Sequence, residues 1–290
     1  MFRSAHADNK DWEAAVQSCA NQIAGNKEAN FGFVYITEPL APHLDRILHA
    51  LRLSTGIESW VGSVGMGICT ITQSFCGEFF NESAITIMTA QLPTESFILF
   101  SNSSYEERDG LKIPQVDVTD YSKGMPFVLV HADGVNPEYL TLVEGLANST
   151  EGFVVGGLTT SRTQNHQISG SITGGGISGV VFTPAVEIVT SLSQGCQPIG
   201  KPHRIDQCSG NLIIQLDGRS ALEVLLDITG AADLAELQKM ANTIHIALPI
   251  AGSDTGDYLV RNLIGIDKNH GIVAIDAPVN AGEDLMFVRR

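Results

Sequence analysis

The chain has 290 residues, 43% hydrophobic and 17% charged, with 29 glycines, which suits a globular α/β protein and excludes a disordered or fibrous one. Seventeen Lys and Arg against 32 Asp and Glu leave a formal charge of −15 with no basic patch, so neither nucleic acid nor an anionic membrane surface is an expected partner. No run of about 18 apolar residues suggests a membrane span, and the polar segment from Met1 to Trp12 lacks the apolar core of a secretion signal, which predicts a cytoplasmic protein.

The β-branched and aromatic run Phe33-Val34-Tyr35-Ile36 predicts a strand, and Pro42 opens a stretch with Leu44, Ile47, Leu48 and Leu51 at helical spacing. Trp60-Val61 predicts a second strand ending in a glycine turn from Gly62 to Gly67, and Ala84 to Thr89 a later one. The same order returns with a strand from Phe127 to Val130, a helix opened by Pro137, a strand from Phe153 to Val155 ending at Gly156-Gly157, and a strand from Ser178 to Thr183. Both sets share an offset of 94 residues, the separation of Phe33 and Phe127. One offset held through strand, helix and glycine turn predicts an internal duplication, with halves at about 27–96 and 121–196 enclosing a cleft.

Further on, Asn211 to Leu216 predicts a strand, Asp217-Gly218 a turn, and Ala221, Leu222, Leu225 and Ile228 the buried stripe of a helix that Gly230 caps. A second helix through Leu234, Leu237 and Ala241 precedes apolar runs at 244–248, 258–266, 272–279 and 285–288. The expected fold class is α/β (α+β), with an internally duplicated strand-helix-strand domain over 1–204 and a smaller α+β unit over 205–290.

Several motifs fail their context. Gly174 to Gly179 satisfies GxGxxG, but a strand rather than a helix follows, so a glycine-rich hairpin is expected. Gly195 to Pro202 begins like a phosphate-binding loop, yet Pro202 replaces the magnesium-binding Ser or Thr, so a surface turn between strands is expected. Five cysteines without CxxC spacing predict reduced thiols, and the eight histidines show no zinc spacing, so no metal is expected. Cys196 and His203 lie in one segment without an evident orienting acid, and no catalytic pair stands out, which points away from an enzyme.

The candidate ligand contacts gather at the ends of the duplicated strands. Gly62, Ser63, Gly156 and Gly157 occupy equivalent positions where missing or small side chains let a ligand approach backbone N–H groups. Thr159, Ser161 and Arg162 follow the second glycine pair, and Arg162 is the first basic residue after Lys123, a guanidinium suited to a carboxylate or to a structural ion pair. Asp133 ends the strand that carries His131, which either faces the cleft or caps the strand. Gln194 and Arg261, the latter in an otherwise apolar strand, complete the set.

Val154 to Arg162, Gly176 to Phe182 and Ser193 to Gly200 together resemble the FIST N-terminal domain, while Leu216 to Leu222 and Asp257 to Asp267 resemble the FIST C-terminal domain. The resemblance implies a sensory signal-transduction module that binds small ligands such as amino acids; the glycine turns, with Arg162 and Arg261 able to pair a carboxylate, make a small anionic or zwitterionic metabolite the expected ligand. The module passes its output to a separate signalling protein, since no kinase, cyclase or response-regulator segment is visible. Some relatives bind haem and respond to nitric oxide, which makes a haem-binding sensor an alternative, with His131 or His166 as the histidines on offer; a protein-interaction scaffold using the acidic surface is another. The resemblance implies no catalytic residues. Relatives normally continue past Met286 to Arg290, so the C-terminal domain is expected to be incomplete.

Overall fold

The structure, a computed structural model, describes residues 2–72, 75–101, 105–108, 111–114, 124–190, 195–240, 242–250 and 258–290. Two units divide the chain, Met1–Ile188 and Val189–Arg290. The first runs β1 (Phe2–Asp8), α1 (Trp12–Ile23), β2 (Phe31–Thr37), a 3-10 turn (Glu38–His43), α2 (Leu44–Thr55), β3 (Ser59–Gly65), β4 (Gly67–Ile71), β5 (Cys76–Phe80), β6 (Ala84–Ala90), β7 (Phe97–Phe100), β8 (Tyr105–Arg108), β9 (Leu111–Pro114), β10 (Phe127–Asp133), α3 (Tyr139–Thr150), β11 (Phe153–Thr159), β12 (His166–Ser169), β13 (Ser171–Gly174) and β14 (Ile177–Phe182). The strands and helices together form the α+β fold that the sequence patterns predict.

Two sheets repeat one strand order. One has the order β1-β6-β2-β3-β12-β13 and the other β11-β10-β14-β7. Read from the other edge, the second is β7-β14-β10-β11, which matches β1-β6-β2-β3 strand for strand. The register repeats as well: Phe33 faces Met88 across β2 and β6, and Phe127 faces Phe182 across β10 and β14, both pairs at the offset of 94 residues. The parallel pairs depart from it, because Phe33 faces Val61 whereas Phe127 faces Phe153. That slip of two residues leaves every side chain on its original face, so it preserves the core. The β12–β13 hairpin of the second half joins the sheet of the first, Ile168 pairing with Gly62.

Helices α1 and α2 pack their apolar faces on one side of the first sheet around the fully buried Trp60. α3 does the same for the second sheet through Leu142 and Leu146. A third cluster, including Phe31, Val61, Val180 and Phe182, lies between the two sheets.

Three expectations change. The polar N-terminus forms β1, whose inward residues are Ala5 and Ala7, too small to mark a strand by hydrophobicity. The glycine stretches are strand rather than turn, since β3 continues to Gly65 and β11 to Thr159. Gly175 and Gly176 do not close a hairpin; they carry the chain from β13 in one sheet to β14 in the other.

The second unit comprises β15 (Gln197–Ser209), β16 (Leu212–Leu216), β17 (Arg219–Ser220), α4 (Ala221–Thr229), α5 (Leu234–Met240), β18 (Ile244–Pro249), β19 (Tyr258–Asp267), β20 (Ile272–Ile275) and β21 (Asp284–Arg289). Its sheet order, β15-β21-β18-β19-β20-β16, closes on itself because β15 also pairs with β16. The result is a small barrel without free edges along these strands. Its core includes Ile213, Leu225, Ile246 and Phe287. Ser220 and Glu223 form a reciprocal capping box at the start of α4, and Gly230 ends it in the left-handed conformation, as expected for a glycine cap. The segment expected as a surface turn at Gly195 to Pro202 lies largely in β15, where Gly200, with φ +77°, sits in a register shift between Ile199 and His203.

Candidate functional site

Two adjoining cavities open in the first unit. The larger, of about 660 Å³, has apolar walls from Phe33, Ile87, Met88 and Leu129, and is closed on one side by the β4–β5 hairpin through Cys69, Ile71, Cys76 and Glu78. In that hairpin Cys69 faces Glu78 and Ile71 faces Cys76, so all four side chains share one face by strand alternation. The smaller, of about 450 Å³, lies at the carboxyl ends of β3 and β11, bounded by Ser63 and Gly65 on one and Leu158 and Thr159 on the other. Cys69 and Glu78 line both cavities, which makes the hairpin their common wall. Ligands of open α/β sheets characteristically sit at the carboxyl ends of strands.

Beneath them the layer between the sheets changes from apolar to polar along the strands. On the first sheet Thr86, Tyr35, Ser63 and Gln167 are successive cross-strand neighbours. On the second, Gly157, His131 and Ser178 are. The two rows meet where the Tyr35 hydroxyl and His131 Nε2 lie 3.1 Å apart. Burial, with Cys69 adding, pushes the Tyr35 phenol up to about 12, so it stays protonated and can donate to the imidazole. Burial pushes His131 down to about 4, so the imidazole is neutral near pH 7.

A pH dependence follows from His131. A histidine whose folded pKa lies below its ordinary 6.5 resists protonation in the folded state, so stability is fully present above pH 6.5 and lost as pH falls towards 4. Denaturant unfolding between these limits is expected to lose about 1 kcal/mol per pH unit from this group, and His131→Gln, which cannot take up a proton, should flatten that part of the profile. An unchanged slope in His131→Gln would remove the assignment.

The residues expected at the site fall into several places. Ser63 and Thr159 come together on the smaller cavity. At Gly62 and Gly156 the missing side chain makes room for a neighbouring strand, since a Cβ there would collide with the carbonyl oxygens of Val34 and Val130; at Gly157 a Cβ would meet nothing. Asp133 is buried, its carboxylate accepting from Val135 N at 3.0 Å and Asn165 Nδ2 at 2.6 Å. Ser161 donates to Glu38 Oε1 at 2.7 Å, and Arg162 donates through its backbone N–H to the same oxygen. The Arg162 guanidinium reaches Asn81 Oδ1 at 2.6 Å, lies 3.9 Å from Glu38 Oε2 and sits 6.0 Å from the Phe80 ring centroid, which ties the second half to the first. Arg261 belongs to the second unit, on β19, and donates to the Val260 carbonyl. Gln194 lies outside the described residues. Tyr35 and Glu78 escaped the sequence reading. Tyr35 was legible as the residue two beyond Phe33 on the same strand face, whereas Glu78 depends on how a hairpin folds over a sheet.

The histidines offered as haem ligands do not fit that role. His131 Nε2 is engaged by Tyr35, and neither His131 nor His166 lines either cavity. In the second unit His203 does have an orienting acid, with Nδ1 2.8 Å from Asp217 Oδ2. Cys196, however, precedes β15; Gln197 and His203 on that strand pair with Arg289 and Leu285, four residues apart on β21 or roughly 13 Å at strand rise, too far to form a thiol–imidazole pair. Among the described residues no group of three or more His, Cys, Asp or Glu could hold a metal ion, and no helix is long and apolar enough to cross a membrane.

Comparison with known proteins places these features in a family. Residues 30–219 match the FIST N domain. Uncharacterized proteins of Mycobacterium bovis and Mycobacterium tuberculosis are each 30% identical over 140 residues, and a second uncharacterized M. tuberculosis protein is 32% identical over 140 residues. These matches span 47% of this chain and 36% of the relatives' own length. The FIST domain is associated with sensory signal-transduction proteins. The chain belongs to the FIST family.

Proposed function

We propose that the first unit is the receptor of a sensory protein and that its ligand is a small amphipathic molecule. The apolar body occupies the 660 Å³ cavity, while a polar head reaches Ser63 and Thr159 at the strand ends. The observation that carries this reading is the shared hairpin wall: Cys69 and Glu78 line both the apolar chamber and the smaller cavity bounded by Ser63 and Thr159. The volume lies within the range of about 300–1,000 Å³ typical of small-molecule sites. An amino-acid-like ligand suits the arrangement through its amine; the carboxylate contact expected from Arg162 would require the guanidinium to exchange Glu38 for the ligand.

In this reading the second unit acts as a FIST C-like domain, and the occupied state is reported to a separate signalling protein in the cytoplasm. A thermal-shift panel of amines, amino acids and neutral amphiphiles tests it, with Ile71→Trp as control. Ile71 lines the cavity yet is 72% exposed, so the larger side chain should obstruct the chamber without disturbing the fold. The expected result is a concentration-dependent rise in midpoint for the parent chain that Ile71→Trp abolishes; a rise undiminished in Ile71→Trp would place the ligand elsewhere.

A further inference from the structure

Resting on that receptor reading, we propose that the cavity selects a primary amine or similar monocation with an apolar body, and that Glu78 is the residue that recognises the cation. Among the described residues, the linings of both cavities contain one charged side chain, Glu78, and no Lys, Arg or His. Among the described residues Glu78 has no ion-pair partner: the carboxylates that are paired include Glu38, Glu58, Asp217 and Asp227, each held by a nearby basic group. The guanidinium of Arg162 lies over Phe80 on the same hairpin, and Glu38 and Asn81 hold it.

The remaining groups agree with a cation. Phe33 and Tyr35 present aromatic rings to the same chamber, and the negative face of a ring attracts an ammonium group. Ser63 and Thr159, on the smaller cavity that Glu78 also lines, add hydroxyl oxygens able to accept from an ammonium donor. The chain's formal charge of −15 raises the local concentration of cations and lowers that of anions at an acidic opening. A carboxylate ligand placed here would meet Glu78 with no compensating charge among the described residues of the wall, whereas an amine would form a charge-assisted hydrogen bond with it. This reverses the preference for an anion that Arg162 suggests when the sequence is read alone, because Arg162 is already occupied.

Isothermal titration of the full chain with three probes of one shape, phenethylamine, phenethyl alcohol and phenylacetate, tests the assignment. The amine is expected to bind about tenfold more tightly than phenylacetate, with the alcohol between them, and the amine's advantage should shrink as salt is raised. Glu78→Gln should weaken the amine about five- to tenfold while leaving the alcohol within about twofold of its original affinity. Phenylacetate or the alcohol binding as tightly as the amine would overturn the preference, as would an amine preference that survives Glu78→Gln. If such binding is nevertheless lost in Ile71→Trp, the receptor reading stands and the cation assignment alone falls. Failure of all three probes to bind also removes the cation assignment, and the receptor reading is then decided by the mass of the protein as purified.

Discussion

Gly156→Ala is expected to destabilise the first unit by about 3 kcal/mol, while Gly157→Ala, one residue on, should change stability by no more than about 0.5 kcal/mol. The two positions differ in what faces them. A Cβ on Gly156 would overlap the carbonyl oxygen of Val130, its partner on the parallel neighbour β10, and that oxygen belongs to backbone fixed by pairing on both sides. A flexible side chain could swing away, but a ladder carbonyl moves only with its strand. A Cβ on Gly157 would meet no atom within 4 Å. Gly62 repeats the constraint of Gly156 against Val34 in the first half, so Gly62→Ala should behave like Gly156→Ala. Urea unfolding of the three variants checks this, and equal midpoints for Gly156→Ala and Gly157→Ala would contradict it.

Trp60→Ala carries the largest expected loss, about 3–5 kcal/mol, the usual cost of removing a fully buried large aromatic side chain. Trp60 is completely buried between the first sheet and its helices, and its indole N–H donates to the Ile57 carbonyl at 2.8 Å. Its ring lies over Gly32, the partner residue on β2, where a Cβ would overlap the indole. The bulky ring and the absent side chain therefore form one packing unit, and truncating the ring leaves a void that Gly32 cannot fill. Gly32→Ala in the parent should also destabilise, but in Trp60→Ala it should cost less, because the alanine methyl enters space the indole has left. A double-mutant cycle by denaturant unfolding measures that coupling, and strictly additive losses would exclude it.

Much of the architecture was legible because the duplicated strands keep one offset. Phe33 opposite Met88 and Phe127 opposite Phe182 are pairings that the sequence comparison already aligns. The two-residue slip of β11 was not, since an even shift leaves the inward and outward pattern intact and gives no periodicity signal. β1 was hidden because its buried residues are alanines, and the glycine runs read as turns because glycine marks turns more often than it marks strands in close approach. At the site, Ser63 and Thr159 were recoverable from the repeat. Cys69 and Glu78 were not, because the chamber exists only once the β4–β5 hairpin lies over the sheet, a tertiary contact with no local signature. Arg162 shows the converse limit: its isolation among acidic residues was visible, but its partner, Glu38, is 124 positions away.

Native mass spectrometry of the freshly purified full chain, with Ile71→Trp measured beside it, tests the receptor reading most directly. The expected result is a population carrying one additional small mass that is released on denaturation, reduced or missing in Ile71→Trp, and restored to the parent chain when the released molecule is added back. A parent chain that shows no added mass and binds nothing across the ligand panel, or an added mass retained equally by Ile71→Trp, would contradict it.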